Sequence, residues 1–112
     1  MNEANFLTLR DSIIKTFDNP LNLSLCIVHG LSNRDENEMR SRGWLGYAYL
    51  FDSNNENYWP LNFYDTVRLT QDLEIADYID DVGIIIVKEV TLMTIIDTCC
   101  SILKNDYIKY QK

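Results

Sequence analysis

Histidine is nearly missing from this chain: His29 stands alone among 112 residues. One imidazole excludes a two-histidine metal site and an H-E-x-x-H helix. Cys26 precedes it by three residues on a predicted strand, a spacing that puts the two side chains on opposite faces and weakens any Cys–His pair. His29 therefore reads as a strand-end histidine bonded to backbone or water. Cysteine is scarce too. Cys26, Cys99 and Cys100 are odd in number and two are adjacent, which makes a poor disulfide framework. Neighbours on a helix point about 100° apart, so Cys99 and Cys100 bridge badly and read as small packed hydrophobes. Gly30, Gly43, Gly46 and Gly83 are isolated, which excludes a glycine-rich phosphate loop. With only two prolines besides, there is no room for a linker, and residues 1–112 are expected to form a single domain.

Basic residues are also short. Ten lysines and arginines face seventeen aspartates and glutamates, giving a net charge of −7 and a pI near 4.5. That balance opposes direct nucleic-acid binding, which needs a basic stripe to displace counterions. It permits a basic partner. Apolar runs such as Ile84-Ile85-Ile86-Val87 are too short to cross a bilayer, and the polar start Met1-Asn2-Glu3-Ala4-Asn5 lacks the pattern of a signal peptide. Together with reduced thiols, these features lead us to expect a cytoplasmic protein.

What is present is the pattern of a folded domain: 46% apolar and 24% charged residues, with no repeat or low-complexity tract. Phe6, Leu9, Ile13, Ile14 and Phe17 recur at helical spacing, predicting a helix from about Glu3 to Phe17 that Asp18-Asn19-Pro20 breaks. Leu23 to His29 reads as a strand, and polar Ser32 to Arg42 as an exposed loop with at most one helical turn. Trp44 to Phe51 reads as a central strand covered on both sides, or covered on one side and partner-facing on the other, with Leu45, Tyr47, Tyr49 and Phe51 on one face and Trp44, Gly46, Ala48 and Leu50 on the other. Tyr58 to Phe63 returns as the second arm of a hairpin, where Pro60 favours an edge or bulge. Asp65 is placed to cap a helix carrying Val67, Leu69, Leu73 and Ala76 to about Ile79. Ile84 to Val87 reads as a buried strand, and Thr91 caps a last helix lined by Leu92, Ile95, Ile96, Cys99 and Leu103. The expectation is an α+β fold: an antiparallel or mixed sheet of about four strands packed against about three helices.

The charge is lopsided. No lysine or arginine occurs from Leu69 to Val87, whereas Asp72, Glu74, Asp77, Asp80 and Asp81 all do, so this window holds −5 of the net −7. From Lys104 onward three lysines face one aspartate. A charge run is usually a solvated face. It is also a field that speeds encounter with a basic protein and repels acidic competitors. Trp44, Tyr47, Tyr49, Tyr58, Trp59 and Tyr64 gather around the hairpin, and Tyr58 and Trp59, just past the polar turn, are the candidate exposed anchors for a partner.

The run from Trp59 through Pro60, Phe63, Tyr64, Asp65, Arg68 and Asp72 to Glu74 resembles a block in immunity proteins of bacterial polymorphic-toxin and contact-dependent growth inhibition systems. Gly43-Trp44-Leu45-Gly46-Tyr47-Ala48-Tyr49-Leu50-Phe51-Asp52 before it, and Ile85-Ile86-Val87-Lys88-Glu89-Val90-Thr91-Leu92 after it, fit the same layout. The resemblance covers roughly the last two-thirds of the chain. Where that block often has a proline after the aspartate, Thr66 stands here. The resemblance implies a cytoplasmic protein, without catalytic role, cofactor, metal or membrane contact, that blocks the active site of a toxin domain. Many such toxins are nucleases with basic substrate-binding surfaces. On that reading Asp72, Glu74, Asp77, Asp80 and Asp81 take positions where phosphates otherwise sit, and Tyr58 and Trp59 fill a pocket. Arg68 is expected to pair with Asp65 or Asp72 within its own helix. The alternatives are a phage-type inhibitor or DNA mimic, which shares the charge argument, and a small carboxylate-dependent hydrolase, for which nothing singles out two of the seventeen carboxylates.

Overall fold

The computed structural model describes residues 6–17, 23–28, 33–52, 54 and 56–105. The Asp18-Asn19-Pro20 break, His29, Gly30 and the tail from residue 106 lie outside them. In chain order the elements are α1 (Phe6–Asp11), β1 (Ile13–Phe17), β2 (Leu23–Ile27), α2 (Asn33–Arg42), β3 (Trp44–Asp52), β4 (Asn57–Tyr64), α3 (Thr66–Ile75), β5 (Ile84–Ile86) and α4 (Leu92–Asn105). The strands form one mixed sheet in the order β1-β2-β3-β4-β5. The first four pair antiparallel, and β5 runs parallel to β4 because α3 carries the chain back across. The fold is α+β.

Main-core side chains lie on one face of the sheet. Leu23, Leu25, Ile27, Leu45, Ala48, Leu50, Leu61 and Phe63 meet Met39 of α2 and Ile95, Cys99 and Leu103 of α4. The predicted stripe of α4 is the one that packs, and Thr91 Oγ1 accepts a hydrogen bond from the Thr94 N–H at 3.2 Å to start that helix. On the opposite face a smaller cluster joins Leu9 of α1 to Cys26, Val28, Tyr49 and Phe51, with Tyr58 packed against it. The cysteines are free, and burial pushes the thiols of Cys26 and Cys99 up to about 11 and about 12, the Cys100 neighbour adding to the second.

Three sequence expectations are corrected here. The segment read as one helix from Glu3 to Phe17 is a short helix and a strand. Ser12 turns back on α1, its hydroxyl donating to the Thr8 carbonyl at 2.7 Å, and Ile13 to Phe17 then pair with the open side of β2. β-Branched Ile13, Ile14 and Thr16 suit a strand better than a helix end, and a neighbouring strand was there to accept them. The polar segment read as a loop is a helix of ten residues, α2. Asp35 and Glu36 in its first turn and Arg40 and Arg42 in its last complement the helix dipole. Among the residues of α2 from Arg34 to Arg42 Met39 alone is buried, and Gly43 at φ +69° ends the helix, its N–H donating to the Met39 carbonyl at 3.0 Å.

The third correction concerns β3. It is the central strand, but a bulge at Gly46-Tyr47 inserts one residue, so Leu45 shares a face with Ala48 and Leu50 and not with Tyr49 and Phe51. Tyr47 takes the strain, at φ +58°, and its carbonyl accepts from the Val28 N–H at 2.9 Å. Pro60 sits within β4, which is not an edge strand. Its nitrogen points to the same side as that of Asn62, toward β5, but β5 pairs only with Asn62 to Tyr64, so no ladder bond is lost at Pro60.

Candidate partner-binding surface

The acidic window begins on α3. Asp65 caps it as expected, a carboxylate oxygen accepting from the Arg68 N–H at 2.8 Å. Arg68 Nε meets Asp72 Oδ1 at 2.9 Å, the expected pairing one turn along the helix. The same guanidinium lies 5.6 Å from the centre of the Trp44 ring and reaches the Arg42 carbonyl at 3.3 Å, tying α3 to the end of α2 and the start of β3. No residue of α3 is buried. Val67 and Leu73 are exposed, and Ile75 is 90% exposed. Leu69 is half-buried, and with no fully buried apolar stripe the polar ties of Asp65 and Arg68 join this helix to the body. It stops at Ile75, before the predicted end at Ile79, where Ala76 turns extended.

The return from α3 to β5 is pinned to β4 at two residues. The Tyr64 hydroxyl donates to Asp81 Oδ2. Asn62 donates twice, from Nδ2 to the Val82 carbonyl at 2.8 Å and from its backbone N–H to the Gly83 carbonyl at 2.9 Å. Gly83 is at φ +69°, and a Cβ there would stand 2.0 Å from the Pro60 carbonyl oxygen, so glycine is required for this close approach. Tyr64 is 5% exposed, and its pKa is pushed up to about 12 by burial, by the hydrogen bond to Asp81 and by the charges of Asp81 and Asp72.

These ties sort the five predicted acidic residues. Asp72 is half-buried and paired with Arg68, and Asp81 serves Tyr64. Glu74, Asp77 and Asp80 are exposed and have no ion-pair partner among the described residues. Asp72, Asp80 and Asp81 line one hollow of about 330 Å³ with Tyr64, Ile75 and Tyr78. Glu74 does not join them, because two residues along a helix rotate the side chain by about 200°. The fold thus concentrates the acidic window on one segment of surface but does not aim all five carboxylates at one point.

Tyr58 and Trp59 are half-buried, which corrects their expected exposure. As neighbours on β4 they point to opposite faces: Tyr58 makes an edge-on contact with Tyr49 at 5.7 Å, and Trp59 packs on the main core. The exposed apolar residues lie instead among the acidic ones. Tyr78 is 73% exposed and Val82 69%, beside Ile75. Their signal in the sequence misled, since Ile75, Tyr78 and Val82 stand at i, i+3 and i+7, a helical spacing, whereas the helix ends at Ile75. The last predicted strand is corrected as well: β5 is an edge, with Ile84 and Ile85 half-buried and Ile86 53% exposed.

Comparison of the chain with family models, with curated proteins and with solved structures finds no match.

Proposed function

We propose that this protein is an immunity protein, acting in the cytoplasm, that binds a cognate toxin domain and occludes its basic active site, with a nuclease as the expected class of toxin. One observation carries the reading: Glu74, Asp77 and Asp80 stand exposed without basic partners among the described residues, interleaved with exposed Ile75, Tyr78 and Val82. Like charges gathered this way repel, and large apolar side chains left in water contribute nothing to the fold. Both become favourable against a basic, partly apolar protein surface. The acidic residues raise the association rate, and the apolar ones slow dissociation. The protein is proposed to act by binding and not by catalysis.

Co-expression with the product of the gene immediately upstream, followed by purification and a toxicity assay, tests this. A one-to-one complex that abolishes toxicity is expected. Reversing Glu74, Asp77 and Asp80 together to lysine should slow association and flatten its salt dependence. Absence of any complex, or a complex indifferent to the reversal and to salt, counts against the proposal.

A further inference from the structure

The two edges of the sheet are treated differently. β1 is interrupted by a bulge at Ile14 and carries Lys15, both devices that discourage pairing with another strand. β5 has neither, being Ile84-Ile85-Ile86 with no charged residue. Its hydrogen-bonding direction is settled by the parallel ladder. The Gly83 carbonyl accepts from Asn62 and the Val87 N–H donates to Tyr64, each at 2.9 Å, and the register pairs Phe63 with Ile85. Residues 83, 85 and 87 therefore turn their backbone groups to β4, and Ile84 and Ile86 turn their N–H and C=O groups outward. Val82 and Ile86 flank this edge with exposed apolar surface, and Asp77, Asp80 and Asp81 lead into it.

We infer that the open edge of β5 is the seat for an extended, basic segment of the partner, which adds a sixth strand to the sheet. Main-chain hydrogen bonds to Ile84 and Ile86 hold the incoming strand, and its side chains alternate between the apolar flank and solvent. The charge of the segment is set by complementarity: the acidic residues before β5 repel an acidic strand and attract lysine or arginine at the end nearest Gly83. This deepens the proposed function and rests on it for the partner's identity, but the edge itself can be tested alone.

The probe is a short blocked peptide alternating valine with arginine, titrated into the full-length protein labelled with ¹⁵N. Slowed exchange of the Ile84 and Ile86 amides is expected on binding. Methylating the peptide nitrogens that face β5 should weaken binding about tenfold per position, and methylating the alternate nitrogens by less than about twofold, since a lost hydrogen bond of about 1.4 kcal/mol is a factor of ten in affinity. Ile86→Pro removes an outward N–H without removing a bond to β4, so it should keep the fold and weaken the peptide about tenfold or more. If I86P does not fold, the methylated peptides on the unchanged protein decide the matter. Shifts confined to Glu74 and Asp77 would overturn the strand seat while leaving the acidic surface intact as a docking site. Failure to bind, an even methylation pattern, or protection of Ile84 and Ile86 that grows with protein concentration alone, indicating a second copy at the edge, would each overturn it.

Discussion

Removing the Asp81 carboxylate should damage the fold more than removing any of the neighbouring acidic side chains. Tyr64 is 5% exposed and its hydroxyl donates to Asp81. In Asp81→Ala that hydroxyl keeps its burial and loses its acceptor, which costs about 1–3 kcal/mol. Tyr64→Phe removes the donor and leaves Asp81, an exposed group, to water, so its cost is smaller, about 0.5–1.5 kcal/mol. Once phenylalanine is in place there is no hydroxyl to strand, and adding Asp81→Ala should then cost less than about 0.5 kcal/mol. Urea unfolding of the four proteins closes the cycle, with an expected coupling of about 1–2 kcal/mol. pH supplies an independent check. The folded pKa of Tyr64, about 12, lies above its ordinary value of 10.0, so the un-ionised phenol stabilises the native state. That contribution is complete below pH 10 and is lost as pH rises from 10 toward 12. Tyr64→Phe should flatten the fall in stability over this window. A coupling below about 0.3 kcal/mol, together with an unchanged alkaline profile, would refute the claim that this bond anchors the acidic segment to the sheet.

Other consequences are testable on the isolated protein. Gly83→Ala forces a Cβ to within 2.0 Å of the Pro60 carbonyl in a left-handed backbone, and should cost about 2–4 kcal/mol in chemical unfolding while speeding exchange of the Asn62 and Val87 amides. Neutralising Glu74, Asp77 and Asp80 to their amides should leave stability unchanged or raise it by a few tenths of a kcal/mol at low salt, whereas Asp72→Asn should lower it by about 0.5–1 kcal/mol through Arg68; thermal melts at two ionic strengths separate these outcomes. Cys26 and Cys99, with thiols pushed up to about 11 and about 12 by burial, should resist iodoacetamide at pH 8 in the native protein and react on unfolding, as read by mass spectrometry.

Where the sequence was legible, the deciding physics was local. The run from Trp44 to Phe51 is apolar on both faces, the pattern of a strand covered on both sides or covered on one and partner-facing on the other, and it is the central strand of the sheet. Asp65 and Thr91 announce helix starts through a side-chain oxygen one turn from an orphan N–H. The stripe of Ile95, Cys99 and Leu103 needed no knowledge of what it packs against. The same holds for the charge: no lysine or arginine between Leu69 and Val87 is a property of the chain, and so is the i, i+4 spacing that pairs Arg68 with Asp72.

Tertiary structure decided the rest, because those outcomes depend on neighbours distant in sequence. Ile13 to Phe17 left the helix because β2 offered unpaired backbone. One extra residue at Gly46-Tyr47 reversed the side chains of half a strand, which no period of two can foresee. Tyr58 and Trp59 were drawn inward by Tyr49 on one side and the main core on the other, while Ile75, Tyr78 and Val82 stayed in water, α3 burying none of its residues against the body. Composition and spacing determined that a dense negative charge would exist. Folding determined which carboxylates, Asp72 and Asp81, are used within the molecule and which, Glu74, Asp77 and Asp80, stand exposed without an ion-pair partner among the described residues.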